Sequence, residues 1–238
     1  MKGKNALITG ASKGIGKAIA LKLAGKGCNL VITARNEDEL KELSDTCYGM
    51  GVECSFLSAD LSDPSAPGEL IKKVLAKLGK LDILINNAGM AFNARVENTS
   101  QEQWDEIMNV NARAPFLLCR ESIPFLKQSS SATIINISSV VGHKGYENQG
   151  AYTASKHALS GFTKVLAKEL HPDGIRVHLI SPGGVSTKMV STMRPDLDTD
   201  SLIKPEDIAD LVYFLLNNRN NAIIDEIKIR RNSSIPWS

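Results

Sequence analysis

Asn5-Ala6-Leu7-Ile8-Thr9-Gly10-Ala11-Ser12-Lys13-Gly14-Ile15-Gly16 decides how this chain folds. Its apolar opening, Asn5 to Thr9, does not alternate with polar residues, as expected of a strand buried on both faces. Glycines at 10, 14 and 16 then let the backbone turn tightly, and Ile15, Ala18, Ile19 and Leu23 recur at helical spacing over 14–26. A strand, a glycine turn and a helix in that order aim free N–H groups and the positive end of a helix dipole at one point, where a pyrophosphate would rest. A nucleoside-triphosphate loop does not fit. Ile15 stands where that pattern needs glycine, and Ala18 follows Lys17 in place of Ser or Thr. The stretch reads as a dinucleotide site, with contacts expected from Gly10, Ser12, Lys13, Gly14, Ile15 and Gly16.

The alternation continues along the chain. Strands are expected at 5–9, 29–33, 52–57, 82–85, 133–137, 176–180 and 223–229, and helices at 14–26, 36–48, 64–78, 100–127, 151–171 and 205–216. Pro205 followed by Glu206 and Asp207 suits a helix start, with proline at its first position and carboxylates at the positive end of its dipole. This pattern predicts an α/β protein of the Rossmann type, doubly wound, with a seven-stranded parallel sheet and helices on both faces. One domain spanning 1–238 is expected, with a lid loop at about 183–204 that carries Met189, Val190 and Met193.

Composition narrows the functional classes. Of 238 residues, 42% are apolar and 23% charged, which excludes intrinsic disorder. A formal charge of +2 is too balanced for a nucleic-acid or membrane-surface protein driven by a basic field. Apolar stretches of about five or six residues fall far short of the roughly 20 that span a bilayer, and Ala6-Leu7-Ile8 is too brief for a signal peptide. A cytoplasmic location follows. Cys28, Cys47, Cys54 and Cys119 form no Cys-x-x-Cys pair, so they are expected to be reduced and buried. His157 and His171 fall roughly 21 Å apart on one helix, and no metal site is expected.

The second strand ends at Thr33-Ala34-Arg35-Asn36, where an NAD site would place an Asp or Glu for the ribose 2′-hydroxyl. Arg35 stands there instead, and Lys13 lies within the glycine loop. Two cations suit a 2′-phosphate and predict NADP(H). After strand three, Asp60-Leu61 would lie near the adenine amino group. After strand four, Asn86-Asn87-Ala88-Gly89 gives small residues for close backbone approach. At the start of the fifth helix, Tyr152 and Lys156 share one face. A phenol with a pKa near 10 is a poor acid or base at neutral pH. A Lys ammonium about 5 Å away would stabilise its phenolate by about 3 kcal/mol, or about two pKa units. Ser139, at the end of strand five, could bond the same substrate oxygen, while Ser138 would point to the other side.

Together, Thr9-Gly10-x3-Gly14-x-Gly16, Asp60, Asn86-Asn87-Ala88-Gly89, Asn111, Ser139, Tyr152-x3-Lys156 and Pro182-Gly183 with Thr187 resemble the short-chain dehydrogenase/reductase family, from Asn5 to about Leu216. The resemblance is strongest to 3-oxoacyl carrier-protein reductases and related NADP-dependent alcohol dehydrogenases. It implies that Tyr152 is the general acid/base and that Ser139 orients a carbonyl. It further implies that Lys156 lowers the Tyr152 pKa while bonding the nicotinamide ribose, and that Asn111 holds a water linking Lys156 to solvent. Pro182, Gly183, Val185 and Thr187 would lie along the nicotinamide.

The implied activity is NADPH-dependent reduction of a ketone, aldehyde or 3-oxoacyl compound. The alternatives are a non-catalytic NADP(H)-binding regulator and an NAD-preferring alcohol dehydrogenase working oxidatively. The resemblance also implies a homotetramer or dimer pairing helices 100–127 and 151–171, with Trp104, Phe116, Phe162 and Leu166 as apolar surface; the alternative is that these side chains only fill the core of one chain. The tail, 222–238, departs from the family: no glycine follows Gly184, and Ile229-Arg230-Arg231-Asn232 replaces the usual Gly-Gly ending. His143, four past Ser139, is expected to be a loop histidine without a role at the site.

Overall fold

The computed structural model describes residues 1–236. Seven parallel strands form one sheet in the order β3-β2-β1-β4-β5-β6-β7. They are β1 (Asn5–Thr9), β2 (Asn29–Ala34), β3 (Cys54–Ser58), β4 (Ile83–Asn86), β5 (Thr133–Ile137), β6 (Arg176–Pro182) and β7 (Glu226–Ile229). The order reverses between β1 and β4, the switch point at which such sheets open a crevice beyond the strand ends. The sheet is of the Rossmann type. Successive β1 side chains serve opposite faces. Ala6 and Ile8 join the core beneath α1 (Gly14–Ala24), α2 (Glu37–Tyr48) and α8 (Pro205–Asn217). Leu7 joins the other core, beneath α3 (Ala66–Leu78), α5 (Ala114–Leu126) and α6 (Gly150–Leu170). Each fully buried Leu or Ile contributes about 1.5–3 kcal/mol, and burial on both sides explains the solid apolar runs.

Three strands begin later than the apolar runs suggest. Asp82 stays outside β4 because its buried carboxylate accepts from the Asn5 amide at 2.9 Å, capping the start of β1. Val52 is buried but precedes β3, where Glu53 N–H donates to the Asn29 side chain at 3.1 Å. Ile223 and Ile224 lie outside β7, exposed at 47% and 39%, and the Ile224 carbonyl bonds the His178 ring instead.

Two helical segments also differ from expectation. The predicted helix over 100–127 is α4 (Gln101–Met108), a π-helical turn (Asn109–Arg113) and α5. Helical geometry runs on through the turn, so apolar periodicity alone does not reveal the break. The expected lid loop contains α7 (Lys188–Met193), capped by Thr187, whose hydroxyl accepts from Val190 N–H at 3.4 Å. Six residues are too few to show a period. Among the described residues no helix is long and apolar enough to cross a membrane. Trp237 and Ser238, the end of the atypical tail, lie outside the described residues.

The glycine loop is packed backbone on backbone. Gly10 adopts φ +64°, and a Cβ there would meet the Ala88 Cα at 2.7 Å. Gly16 is buried behind the loop, where a Cβ would lie 2.3 Å from the Gly10 carbonyl and 2.6 Å from Asn87 Nδ2. Gly16→Ala should therefore cost about 1–3 kcal/mol of stability, read as a lower urea midpoint. An unchanged midpoint would show that the loop relaxes freely.

Candidate active site

A cavity of about 350 Å³ runs along the carboxyl ends of the strands. Lys13, Arg35, Asp60 and Leu61 wall one end. Asp60 accepts from Ser62 N–H at 3.0 Å and from Ser62 Oγ at 2.8 Å. Those bonds, with help from the Arg35 charge, hold its carboxyl below the usual range. Gly10, Ser12, Gly14, Ile15, Asn87, Ala88 and Gly89 line the middle. The first residues of α1 point their N–H groups there. Ser139, Tyr152, Lys156, Pro182, Gly183, Val185 and Thr187 form the far end. Two of the expected site residues do not line the cavity: Gly16, packed behind the loop, and Asn111.

Asn111 sits in the π-helical turn and is fully buried. Its Nδ2 donates to the Met90 carbonyl at 2.8 Å and to Ser155 Oγ at 3.0 Å, while its Oδ1 accepts from Met90 N–H at 2.9 Å. A Cβ on Gly89 would lie 3.3 Å from Asn111 Oδ1 and 3.6 Å from Lys156 Nζ, so both side chains converge on that glycine. The Asn111 amide thus ties the loop after β4 to α6.

At the far end, Ser139 accepts from Val141 N–H at 3.3 Å. Ser138 turns the other way, 3.1 Å from Ser160 Oγ. Lys156 is buried and donates to the Ile137 carbonyl at 3.0 Å. Burial lowers its pKa to about 8. The expectation that Lys156 lowers the phenol pKa does not hold in the free protein. Nζ lies 5.9 Å from the ring centroid, and burial pushes the Tyr152 pKa up, against a smaller downward pull from Ser139. Desolvation opposes charge on both groups.

Sequence reasoning missed Asn36, Ala59, Met90, Val110, Ile137 and Lys188, which also line the cavity. Asn36 was legible as the α2 cap beside Arg35; its Oδ1 accepts from Glu39 N–H at 3.0 Å. Met189 and Val190 come from α7 at the cavity mouth. His143 stays outside, its Nε2 2.5 Å from Glu226 and 3.2 Å from Ser181 Oγ.

The short chain dehydrogenase family model matches residues 4–198. The chain belongs to the short-chain dehydrogenase family. It is an oxidoreductase. An uncharacterised oxidoreductase of Staphylococcus epidermidis is 34% identical over 97% of this chain and 98% of its own. A 3-oxoacyl-[acyl-carrier-protein] reductase of Thermotoga maritima is 31% identical over 95% and 96%. The structure of an alcohol dehydrogenase from Thermococcus sibiricus complexed with 5-hydroxy-NADP superposes with a TM-score of 0.91 at 30% identity, covering 99% of both chains.

The Lys156 environment in this short-chain dehydrogenase has a measurable signature. With a folded pKa of about 8 against 10.5 for the ordinary group, the unfolded chain holds the proton more tightly. Folding stability should therefore gain about 3 kcal/mol as pH rises from about 8 to about 10.5. Lys156→Met should lose that gain, so its stability relative to the parent falls as pH rises. Urea unfolding at pH 7 and pH 10 measures the difference, and a pH-independent gap would contradict the assignment.

Proposed function

We propose that this short-chain dehydrogenase is an NADP(H)-dependent reductase of a ketone, aldehyde or 3-oxoacyl compound. One observation carries the reading: Ser139, Tyr152 and Lys156 meet at one end of a cavity whose opposite end holds Lys13 and Arg35. The glycine loop at the α1 N-terminus lies between them, a fit for a pyrophosphate. Arg35 and Lys13 suit a 2′-phosphate, and the complex of the Thermococcus alcohol dehydrogenase with 5-hydroxy-NADP supports that choice. The nicotinamide cofactor, when bound, supplies hydride to the carbonyl carbon. Ser139 donates to the carbonyl oxygen and fixes its direction. Tyr152 delivers the proton to that oxygen; its raised pKa keeps the phenol protonated, the form a reduction needs. Lys156 restores the phenol proton, and Asn111 positions the Met90 backbone and α6 around it.

The mouth residues Met189 and Val190 suit an aliphatic or aromatic substrate, and the Thermotoga relative supports a 3-oxoacyl compound. A homo-oligomer, dimer or tetramer, is part of the same proposal. Trp104 and Phe116 are 42% and 45% exposed on α4 and α5, whereas Leu166 is 3% exposed and belongs to the core. A cytoplasmic location and a single catalytic domain complete the reading.

NADPH absorbance followed against ketones, diketones, aldehydes and acetoacetyl thioesters tests the activity. Tyr152→Phe should lower turnover by about 100- to 10,000-fold while NADPH still binds. NADPH binding by the parent with no turnover of any carbonyl would favour a regulatory protein instead. Arg35→Asp should shift the NADPH/NADH ratio of kcat/KM toward NADH by about 10- to 100-fold. An unchanged ratio would favour the NAD-preferring alternative.

A further inference from the structure

The four cysteines are of two kinds. Cys28 and Cys119 are buried, and burial pushes each thiol up to about 12. Cys47 and Cys54 instead sit on neighbouring elements packed on one core. Cys47 lies on the buried face of α2, in its last turn, with Leu40, Leu43 and Ser44. Cys54 opens β3, the outermost strand at its edge of the sheet, and is only partly buried. Ser44 Oγ, one turn before Cys47, donates to the Cys54 carbonyl at 3.0 Å and fastens helix to strand. Cys54 packs against the same apolar core that holds Cys47. The connection over 48–53 contains Gly49 and Gly51, and Gly51 has nothing within 4 Å of where a Cβ would stand. The Ser44 bond holds the last turn of α2, which carries Cys47, against the start of β3.

We propose that Cys47 and Cys54 are a peroxide-oxidisable dithiol that closes to an intramolecular disulfide. Cys54 is the attacking sulfur, because it is partly exposed whereas Cys47 is buried. Its sulfur attacks one oxygen of hydrogen peroxide. The O–O bond breaks, hydroxide leaves and takes up the proton that Cys54 had shed, and Cys54 becomes a sulfenic acid. The Cys47 sulfur then attacks the Cys54 sulfur. The S–S bond forms, the S–O bond breaks, and the departing hydroxide takes the Cys47 proton. Overall, two thiols lose two electrons and one peroxide is reduced to two waters. Cys28 and Cys119 have no such partner and remain reduced.

The test uses the full chain with hydrogen peroxide, followed by alkylation and a glutamate-specific protease. Cleavage after Glu53 separates Cys47 from Cys54, whereas trypsin has no site between Lys41 and Lys72. The expected product is a peptide pair joined through Cys47 and Cys54 and released by dithiothreitol. It should form at least about 10-fold faster than the Cys28 or Cys119 thiols are lost. In Cys47→Ser, Cys54 should accumulate as a sulfenic acid trapped by dimedone. Oxidation of Cys54 to sulfinic acid without a joined pair, a bridge to Cys28 or Cys119, or four thiols left intact would each overturn the proposal. The mapping of the unmodified chain decides it even if a variant fails to fold.

Discussion

Two carbonyls at the end of β1 share one side-chain amide. Asn87 Nδ2 donates to the Thr9 carbonyl at 2.9 Å and the Gly10 carbonyl at 3.0 Å. In return, Thr9 Oγ1 accepts from the backbone N–H groups of Asn87 and Ala88, both at 3.0 Å. These bonds pin the loop after β1 to the loop after β4, where the strand order reverses. Such closeness requires glycine at 10 and 16, because any Cβ would enter the space of the Ala88 backbone or the Gly10 carbonyl. The free N–H groups of α1 therefore face an open crevice rather than a neighbouring side chain. Every later feature of the cavity is placed relative to that knot.

From the knot, the crevice runs in two directions with opposite physical characters. Toward Lys13, Arg35 and Asp60 it is charged. Charged ligands could be held there without a large desolvation cost. Toward Ser139, Tyr152 and Lys156 burial dominates, lifting the phenol pKa and lowering that of the ammonium. A buried Lys costs stability, and the fold tolerates it beside a fully bonded Asn111 and the Ile137 carbonyl. A proton-transfer end and an ion-binding end can coexist because β1 and β4 lie between β2, which leads to Arg35, and β5, which leads to Ser139.

The sheet was legible because burial on both faces writes continuous apolar runs, and the glycine spacing located the crevice within it. The same apolar runs misplaced the starts of β3, β4 and β7, since Val52 is buried and Ile223 and Ile224 are apolar without being in a strand. The π-helical turn was hidden because it keeps the helical course, yet it is what presents Asn111 to Met90. The phenol pKa was misjudged for a different reason. Residue spacing gives the distance between Tyr152 and Lys156 but not their desolvation, and desolvation decides the sign. Leu166 was misplaced because one helix face cannot be assigned to core or surface from periodicity alone.

The unusual tail shows how a missing motif can be replaced by other bonds. Without a Gly-Gly ending, the chain leaves β7 through Arg230 and Arg231. Gly183 N–H still donates to the Ile229 carbonyl at 2.7 Å, and a Cβ on Gly183 would lie only 3.3 Å from that oxygen. Here the small residue sits on β6's side of the contact, so the tail can carry bulky side chains. Arg230 Nη1 donates to the carbonyls of Arg231, Asn232 and Ser234 at 3.2, 3.4 and 2.9 Å, folding the exit back on itself. At the other end of β7, Glu226 accepts from both His143 and Ser181, tying the segment after Ser139 to the last strand. One histidine nitrogen meets both partners, so the trio cannot pass a proton from Ser181 through the ring to Glu226. It is a brace, and it supports the wall of the cavity that Pro182 and Gly183 line.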